Sequence, residues 1–343
     1  MLATICLLLI TLVVVGDAAE SYALPTLRLD RTTITLSGFD SGGFFATQME
    51  FAFSSKFRAA AIVAAGPYLC GQGNLAASTV CMESPELLDV DAFIAEAKAL
   101  ATEGKIDNIS HLSTHMVVLL SSPFDTVVSH ETTVLLETMY QQLGVGKVHT
   151  VYNLTSAGHA WITDSYGNSC DYEGPNYINN CHFDFAGYFL SASRNFMGLN
   201  TSARGIYNST RMTNFTQVPF GANATLNSMG STGYLYVPEP CSSTGSAICD
   251  LHIHFHGCDQ SASTVGGSSY VSQTGLNEWA ETNNIVILYP QAAPNPLLWN
   301  PMGCWDWFGY NNVKHVDYLE YATKYGIQVQ MIHQMIDALV DGW

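Results

Sequence analysis

The sequence predicts an α/β fold, a mostly parallel sheet with helices on both faces, stapled by disulfides. Three observations carry this expectation. Short apolar runs of strand length alternate with longer helix-like segments along most of the chain, the rhythm of βαβ units. Of the 343 residues, 48% are hydrophobic and only 12% charged, which suits a large core and argues against disorder. The chain also carries nine cysteines with no C-x-x-C spacing, a pattern that favours disulfides over a zinc site.

Taken in order, residues 1–19 form an apolar run followed by small residues, read as a signal peptide cut near Ala18 or Ala19. The run is short for a membrane span, and it lacks a basic start. The remainder, 20–343, is expected to be a single domain. "TTITLSG" (32–38) reads as a strand and 42–57 as a buried helix; 59–66 is strand-like, and 90–104 is a helix stopped by Gly104. "HMVVLLSS" (115–122) is a buried strand, 130–144 a helix with a stop at Gly144, 147–154 a strand and 182–196 a helix. Residues 199–232 turn rich in Asn, Thr, Ser and Gly and are expected to form a glycosylated surface excursion. The βα rhythm then resumes with strands 232–238, 251–257 and 284–291 and helices 274–284 and 318–341. No internal repeat is present.

Other counts point outside the cell. Loss of Cys6 with the leader leaves eight cysteines, 9 − 1, an even number suited to an oxidising compartment. Eight cysteines allow 105 pairings, but Cys70/Cys81, Cys170/Cys181 and Cys241/Cys249 each flank a short polar loop and leave Cys258 with Cys304. Six N-x-S/T sequons, at Asn108, Asn153, Asn200, Asn208, Asn214 and Asn223, suggest a secreted glycoprotein. A net charge of −17 argues against nucleic acid and anionic membranes as partners. A monomer acting on an uncharged ligand, without cofactor or metal, is the expectation.

The chemistry concentrates first in "LSGFDSGGFFA" (36–46). Its frame is a nucleophile elbow, G-x-S-x-G, in which a strand turns sharply into a helix and the residues two before and two after the tip must be small. Gly38 and Gly42 bracket Asp40, so an aspartate occupies the nucleophile slot and the Ser41 N–H would serve an oxyanion hole. Centring the turn on Ser41 instead would put Phe39 two before it, where it should clash. α/β-Hydrolases order their triad as nucleophile, acid, histidine. Asp125 follows strand 115–122 and His159 follows strand 147–154, both just beyond strand carboxyl ends, where catalytic groups gather. A lone loop Asp is usually a turn or cap and a lone His usually structural; the order of the two favours a triad.

"LHIHFHGCDQ" (251–260) supplies the HG turn that normally precedes the triad, so the order looks circularly permuted. His252, His254 and His256 share a strand face; a metal there is disfavoured against packed histidines. Trp305, Trp307 and Tyr310 cluster beside Cys304, and a Cys258–Cys304 bond would hold them at the rim of the site as an apolar platform.

With "SGF-x-SGG", "GPYLC", "FDTVV", "GHAW", "TGYLYVP", "LHIHFHGC", "ILYPQA" and "GCWDW" in this order over roughly 33–340, the chain resembles the secreted poly(3-hydroxybutyrate) depolymerases of the fungal, circularly permuted single-domain type. The resemblance implies an α/β-hydrolase fold with a polyester cleft, Asp125 and His159 as acid and base, the Ser41 and Cys258 N–H groups as oxyanion hole, and Trp305 or Trp307 against the polymer. Asp40 departs from it, standing where the family has its nucleophilic serine. Three readings follow: a binding module with little or no esterase activity, in which Asp40 pairs with protonated His159; an esterase working through Ser41; or, by resemblance to haloalkane dehalogenases and epoxide hydrolases, an Asp nucleophile attacking saturated carbon.

Overall fold

The structure is a computed structural model and describes residues 23–312 and 317–340; the expected leader lies outside them. The main sheet has eight strands: β1 (Thr35–Phe39), β2 (Ala59–Val63), β3 (Met116–Leu120), β4 (Lys147–Val151), β8 (Met212–Thr216), β9 (Thr232–Tyr236), β10 (Asp250–Phe255) and β11 (Ile285–Tyr289). A small sheet holds β5 (Trp161–Thr163), β6 (Asn168–Ser169) and β7 (Ile178–Asn180). The main sheet runs β4-β3-β2-β1-β10-β11-β9-β8. Its pairings are parallel from β4 to β11, and β9 and β8 are antiparallel. The first strand therefore sits in the middle, with β2–β4 on one side and strands from the last part of the chain on the other.

The central strands are buried from end to end, as in TLSGF, AAAIV, MVVLL and IVILY. Helices cover both faces of a parallel sheet, so its strands become continuous apolar runs rather than alternating ones. The helices are α1 (Ser41–Ala52), α2 (Leu75–Glu83), α3 (Val90–Thr102), α4 (His130–Gln142), α5 (Phe185–Phe196), α6 (Ala224–Asn227), α7 (Ala262–Val265), α8 (Leu276–Asn283) and α9 (Ile327–Val340). All twelve residues of α1 are buried, so the helix that starts at the elbow runs through the core. Asp89 and Asp184 cap α3 and α5 by accepting the Ala92 and Gly187 N–H groups. Gly104 and Gly144 end α3 and α4 with positive φ, as left-handed C-terminal residues do.

Some boundaries differ from expectation. The helix expected over 42–57 ends at Ala52, because Phe53 leaves helical geometry and the Ser55 N–H and hydroxyl bind Asp107 instead. The helix expected from 318 begins at Ile327, because Glu320–Ala322 closes a tight turn and Thr323 is extended. The Asn- and Thr-rich segment 199–232 is more than an excursion: it contributes the edge strand β8, whose partner is β9. Of the sequon asparagines, Asn108, Asn153, Asn200 and Asn223 are exposed and Asn208 and Asn214 half-buried. Four disulfides join Cys70 to Cys81, Cys170 to Cys181, Cys241 to Cys249 and Cys258 to Cys304. Among the described residues no helix is long and apolar enough to cross a membrane.

Candidate active site

Asp40 stands at the tip of the turn between β1 and α1, with φ 53° and ψ −127°. The glycines around it are there for space. A Cβ on Gly38 would lie 2.0 Å from the Gly42 carbonyl oxygen, and one on Gly42 would lie 2.3 Å from that of Phe255 and 2.4 Å from that of His256. No side chain fits at either place, so the elbow is centred on residue 40.

Three other strand ends deliver the neighbours of Asp40. Asp125 lies in the loop after β3, His159 in the loop after β4, and Cys258 in the turn after β10. His159 Nδ1 is 2.8 Å from Asp125 Oδ2, while Asp125 Oδ1 accepts the Val127 and Val128 N–H groups, each at 2.9 Å. The acid is thus locked in its own loop and aimed at the imidazole. His159 Nε2 faces Asp40 Oδ1 at 3.8 Å. Its ring packs against Phe39, centroids 4.6 Å apart, and against the edge of Tyr177 at 6.0 Å. Burial alone would lower the pKa of His159, but Asp125 first, then Asp40 and Glu173, outweigh it and hold the imidazole above the ordinary histidine value.

The Cys258 N–H, expected from the sequence as an oxyanion donor, is already engaged: Asp40 Oδ2 accepts it at 2.8 Å. Ser41 opens α1, where its N–H has no carbonyl four residues earlier in the helix to bind. Its side chain is fully buried, its hydroxyl has no hydrogen-bond partner among the described residues, and it is absent from the cavity walls. A nucleophile must reach the substrate, so this placement speaks against attack by Ser41.

Above Asp40 and His159 lies a cavity of about 260 Å³ lined mainly by Leu75, Met82, Val127, Trp299, Trp307 and Phe308. Trp307 stacks on Phe44 with centroids 3.9 Å apart. Trp305 and Tyr310, expected beside it at the rim, are elsewhere. Trp305 is fully buried, stacked on Phe45 at 4.8 Å and edge-on to Phe255 at 5.2 Å. Tyr310 donates its hydroxyl to the Cys304 carbonyl and accepts from Gln328. The cause is Asp306, whose buried carboxyl gathers the N–H groups of Gly309, Tyr310 and Asn311. This curls the loop, so residues two apart no longer share a face. Trp299, 78% exposed, and Met302 supply the outer wall instead; neither was singled out in the sequence.

Glu173 was also missed. Its Oε1 accepts the His159 N–H at 3.0 Å and the Thr126 N–H at 2.9 Å, and its Oε2 accepts the Thr126 hydroxyl. It ties the acid loop to the histidine loop from within the Cys170–Cys181 segment. Gly158 makes room for it, since a Cβ there would lie 2.8 Å from Glu173 Cγ. An acidic residue inside a cysteine-bracketed loop shortly after a catalytic-type histidine was the available signal.

The three histidines of the β10 face are packed. His252 contacts Thr35 and Ser37, His254 contacts Ser37 and Tyr270, and His256 contacts the Gly257 carbonyl and the Ala292 N–H. Both nitrogens of each ring are engaged, leaving none for a metal, and no metal-binding cluster occurs among the described residues.

No family model matches the chain. It is 37% identical over 334 residues to a poly(3-hydroxybutyrate) depolymerase of Delftia acidovorans, a match covering 96% of this chain and 64% of that protein, less than two thirds of its length. It is 32% identical over 337 residues to a polyhydroxybutyrate depolymerase of Talaromyces funiculosus, covering 94% of this chain and 96% of that one. The crystal structure of PHB depolymerase from Penicillium funiculosum matches with a TM-score of 0.81 at 30% identity, over 94% of this chain and 99% of that chain. A serine-to-alanine PHB depolymerase complexed with an R3HB trimer matches at 0.80, with the same identity and coverage.

Proposed function

We propose, from the premise that this chain belongs to the poly(3-hydroxybutyrate) depolymerase family, that it is a secreted polyester-cleft protein whose ordinary ester hydrolysis is lost or strongly reduced. The observation that carries this is the Asp40 carboxyl, which accepts the Cys258 N–H at 2.8 Å and faces His159 at 3.8 Å. It fills the oxyanion position with negative charge before a substrate arrives. Attack by a carboxylate on an ester carbonyl would also be unproductive. The resulting intermediate expels the carboxylate, a far better leaving group than the alkoxide, and returns to starting materials. Loss of a nucleophile in this mechanism costs on the order of 10⁶ in rate.

The rest of the apparatus supports ancestry and binding. Asp125 orients His159, and the cavity is apolar with an exposed rim of Leu75, Trp299 and Met302, suited to an uncharged chain. The sheet order, with β1 central and the HG turn arriving from the C-terminal part, supports reading the chain as a circular permutation of the α/β-hydrolase. The leader-like start, the disulfides and the exposed sequons support secretion as a glycoprotein.

The test compares p-nitrophenyl butyrate turnover and release of hydroxybutyrate oligomers for the natural protein, Asp40→Ser and Ser41→Ala. The natural protein is expected near background, with Asp40→Ser reviving turnover by at least about 10³ and Ser41→Ala without effect. Hydrolysis by the natural protein that Ser41→Ala abolishes would overturn the reading. One feature favours a second reading: Asp40 lines the cavity and its Oδ1, 3.8 Å from His159 Nε2, makes no hydrogen bond among the described residues, as suits a carboxylate attacking saturated carbon. Turnover of a haloalkane or epoxide, abolished by Asp40→Asn, would support it.

A further inference from the structure

Among the described residues, the wall of the cavity carries Asp40, His159, Tyr177, Trp299, Trp307 and Phe308, and no lysine or arginine. Asp40 brings the one carboxyl group and His159 the one imidazole among these described lining residues, with Asp125 bound to the His159 ring and Glu173 to its backbone. Asp125 and Glu173 spend both oxygens on His159, Thr126 and the backbone of their own loops. Asp40 gives Oδ2 to the Cys258 N–H, while its Oδ1 lies 3.8 Å from His159 Nε2, too far for a hydrogen bond. Asp40 lines a space that Trp299, Trp307 and Phe308 also wall, so Oδ1 has acceptor capacity to offer a cationic donor.

We infer that this cavity is a binding site for a small apolar ammonium ion, whose N–H donates to Asp40 Oδ1 while its alkyl or aryl part packs on Trp299, Trp307 and Phe308. The inference deepens the proposed loss of the nucleophile and rests on it, since a serine at position 40 would supply no charge. A carboxylate within an aromatic, partly dehydrated wall is the environment in which an ammonium is held by both ion pairing and ring faces. A neutral ester, which suits the apolar rim, fares worse at the depth of Asp40. Its carbonyl oxygen would meet a donor already taken and a lone pair of like polarity. Anions fare worst: after burial, the charge of Asp40 is what makes Asp259 and Tyr270 hold their protons more tightly.

Calorimetry of the natural full chain with benzylammonium and with benzyl alcohol, which share shape and differ in charge, tests this. The ammonium is expected to bind at least about tenfold more tightly than the alcohol. That ratio should collapse towards one in Asp40→Asn, which keeps the shape and can still accept the Cys258 N–H. Equal affinities for the natural protein, no binding of either, or a preference retained in a folded Asp40→Asn would each overturn the inference. The natural protein's ratio decides the matter even if the variant fails to fold. Failure here leaves the reading of lost hydrolysis standing, because that is measured separately by ester turnover of Asp40→Ser.

Discussion

Acid should loosen this protein through the middle of its sheet, and His252 gives the clearest measure. The ring is fully buried on β10, with Thr35 at 2.9 Å and Ser37 at 2.8 Å, and burial pushes its pKa down to about 3. In the unfolded chain the same imidazole takes up a proton near ~6.5. Its contribution to stability is therefore complete above that value and is lost as the pH falls towards 3. The loss runs at ~1.4 kcal/mol per pH unit, so about 2 kcal/mol is gone at pH 5 and nearly 5 kcal/mol below pH 3. That is a large share of a typical ~5–15 kcal/mol total. Urea unfolding of the natural protein and His252→Gln at pH 7 and pH 5 isolates the effect. The fixed cost of replacing the ring is the same at both values and cancels. The stability gap between the two proteins should shrink by about 2 kcal/mol on going to pH 5. A gap that stays the same would refute the assignment of His252 as a buried neutral ring.

His159 should behave with the opposite sign. Its folded pKa is raised, so the stability it lends is present below the unfolded value and is lost as pH rises through the folded one. In Asp40→Asn one raising partner is gone, and NMR titration of the ring should show a lower midpoint; an unchanged midpoint would remove Asp40 from the pairing. Glu173→Gln, made in the Asp40→Ser background, should cut kcat roughly ten- to a hundredfold with KM little changed, as expected of a residue that positions His159 and Thr126. Gly42→Ala drives a methyl to 2.3 Å from the Phe255 carbonyl, and urea unfolding should show a net loss of about 2 kcal/mol, the upper overpacking cost of ~3 less ~1 gained in helix propensity. Replacing Cys258 and Cys304 together by Ser releases a bridge of sequence separation 46, worth ~4 kcal/mol of unfolded-state entropy by denaturant titration.

The sequence by itself determined whatever depends on neighbours within a few residues. The buried strands are legible in AAAIV and MVVLL because a doubly covered strand must be apolar throughout. The elbow is legible because its glycines sit at fixed offsets within one turn and so place Asp40 at the tip; Gly38 answers a demand inside that turn, while Gly42 makes room for the Phe255 and His256 carbonyls of the neighbouring strand end. The order of Asp125 and His159 after their strands, and the short-range cysteine spacings, have the same local character. Tertiary structure decided what passes between segments far apart in the chain. Trp307 reaches the cavity while Trp305 and Tyr310 do not, because Asp306 curls their loop and no periodicity survives the bend. Asn- and Thr-rich residues 212–216 become strand β8 because β9 offers a free edge to pair with. Glu173 reaches His159 because the small sheet folds back beside it, and Asp40 meets the Cys258 N–H across 218 residues of sequence because β1 and β10 are neighbours in the sheet. The sequence could name the residue at the tip of the elbow. Where its two carboxyl oxygens go, one to the Cys258 N–H and one towards His159, is a property of strand pairing that no stretch of sequence contains.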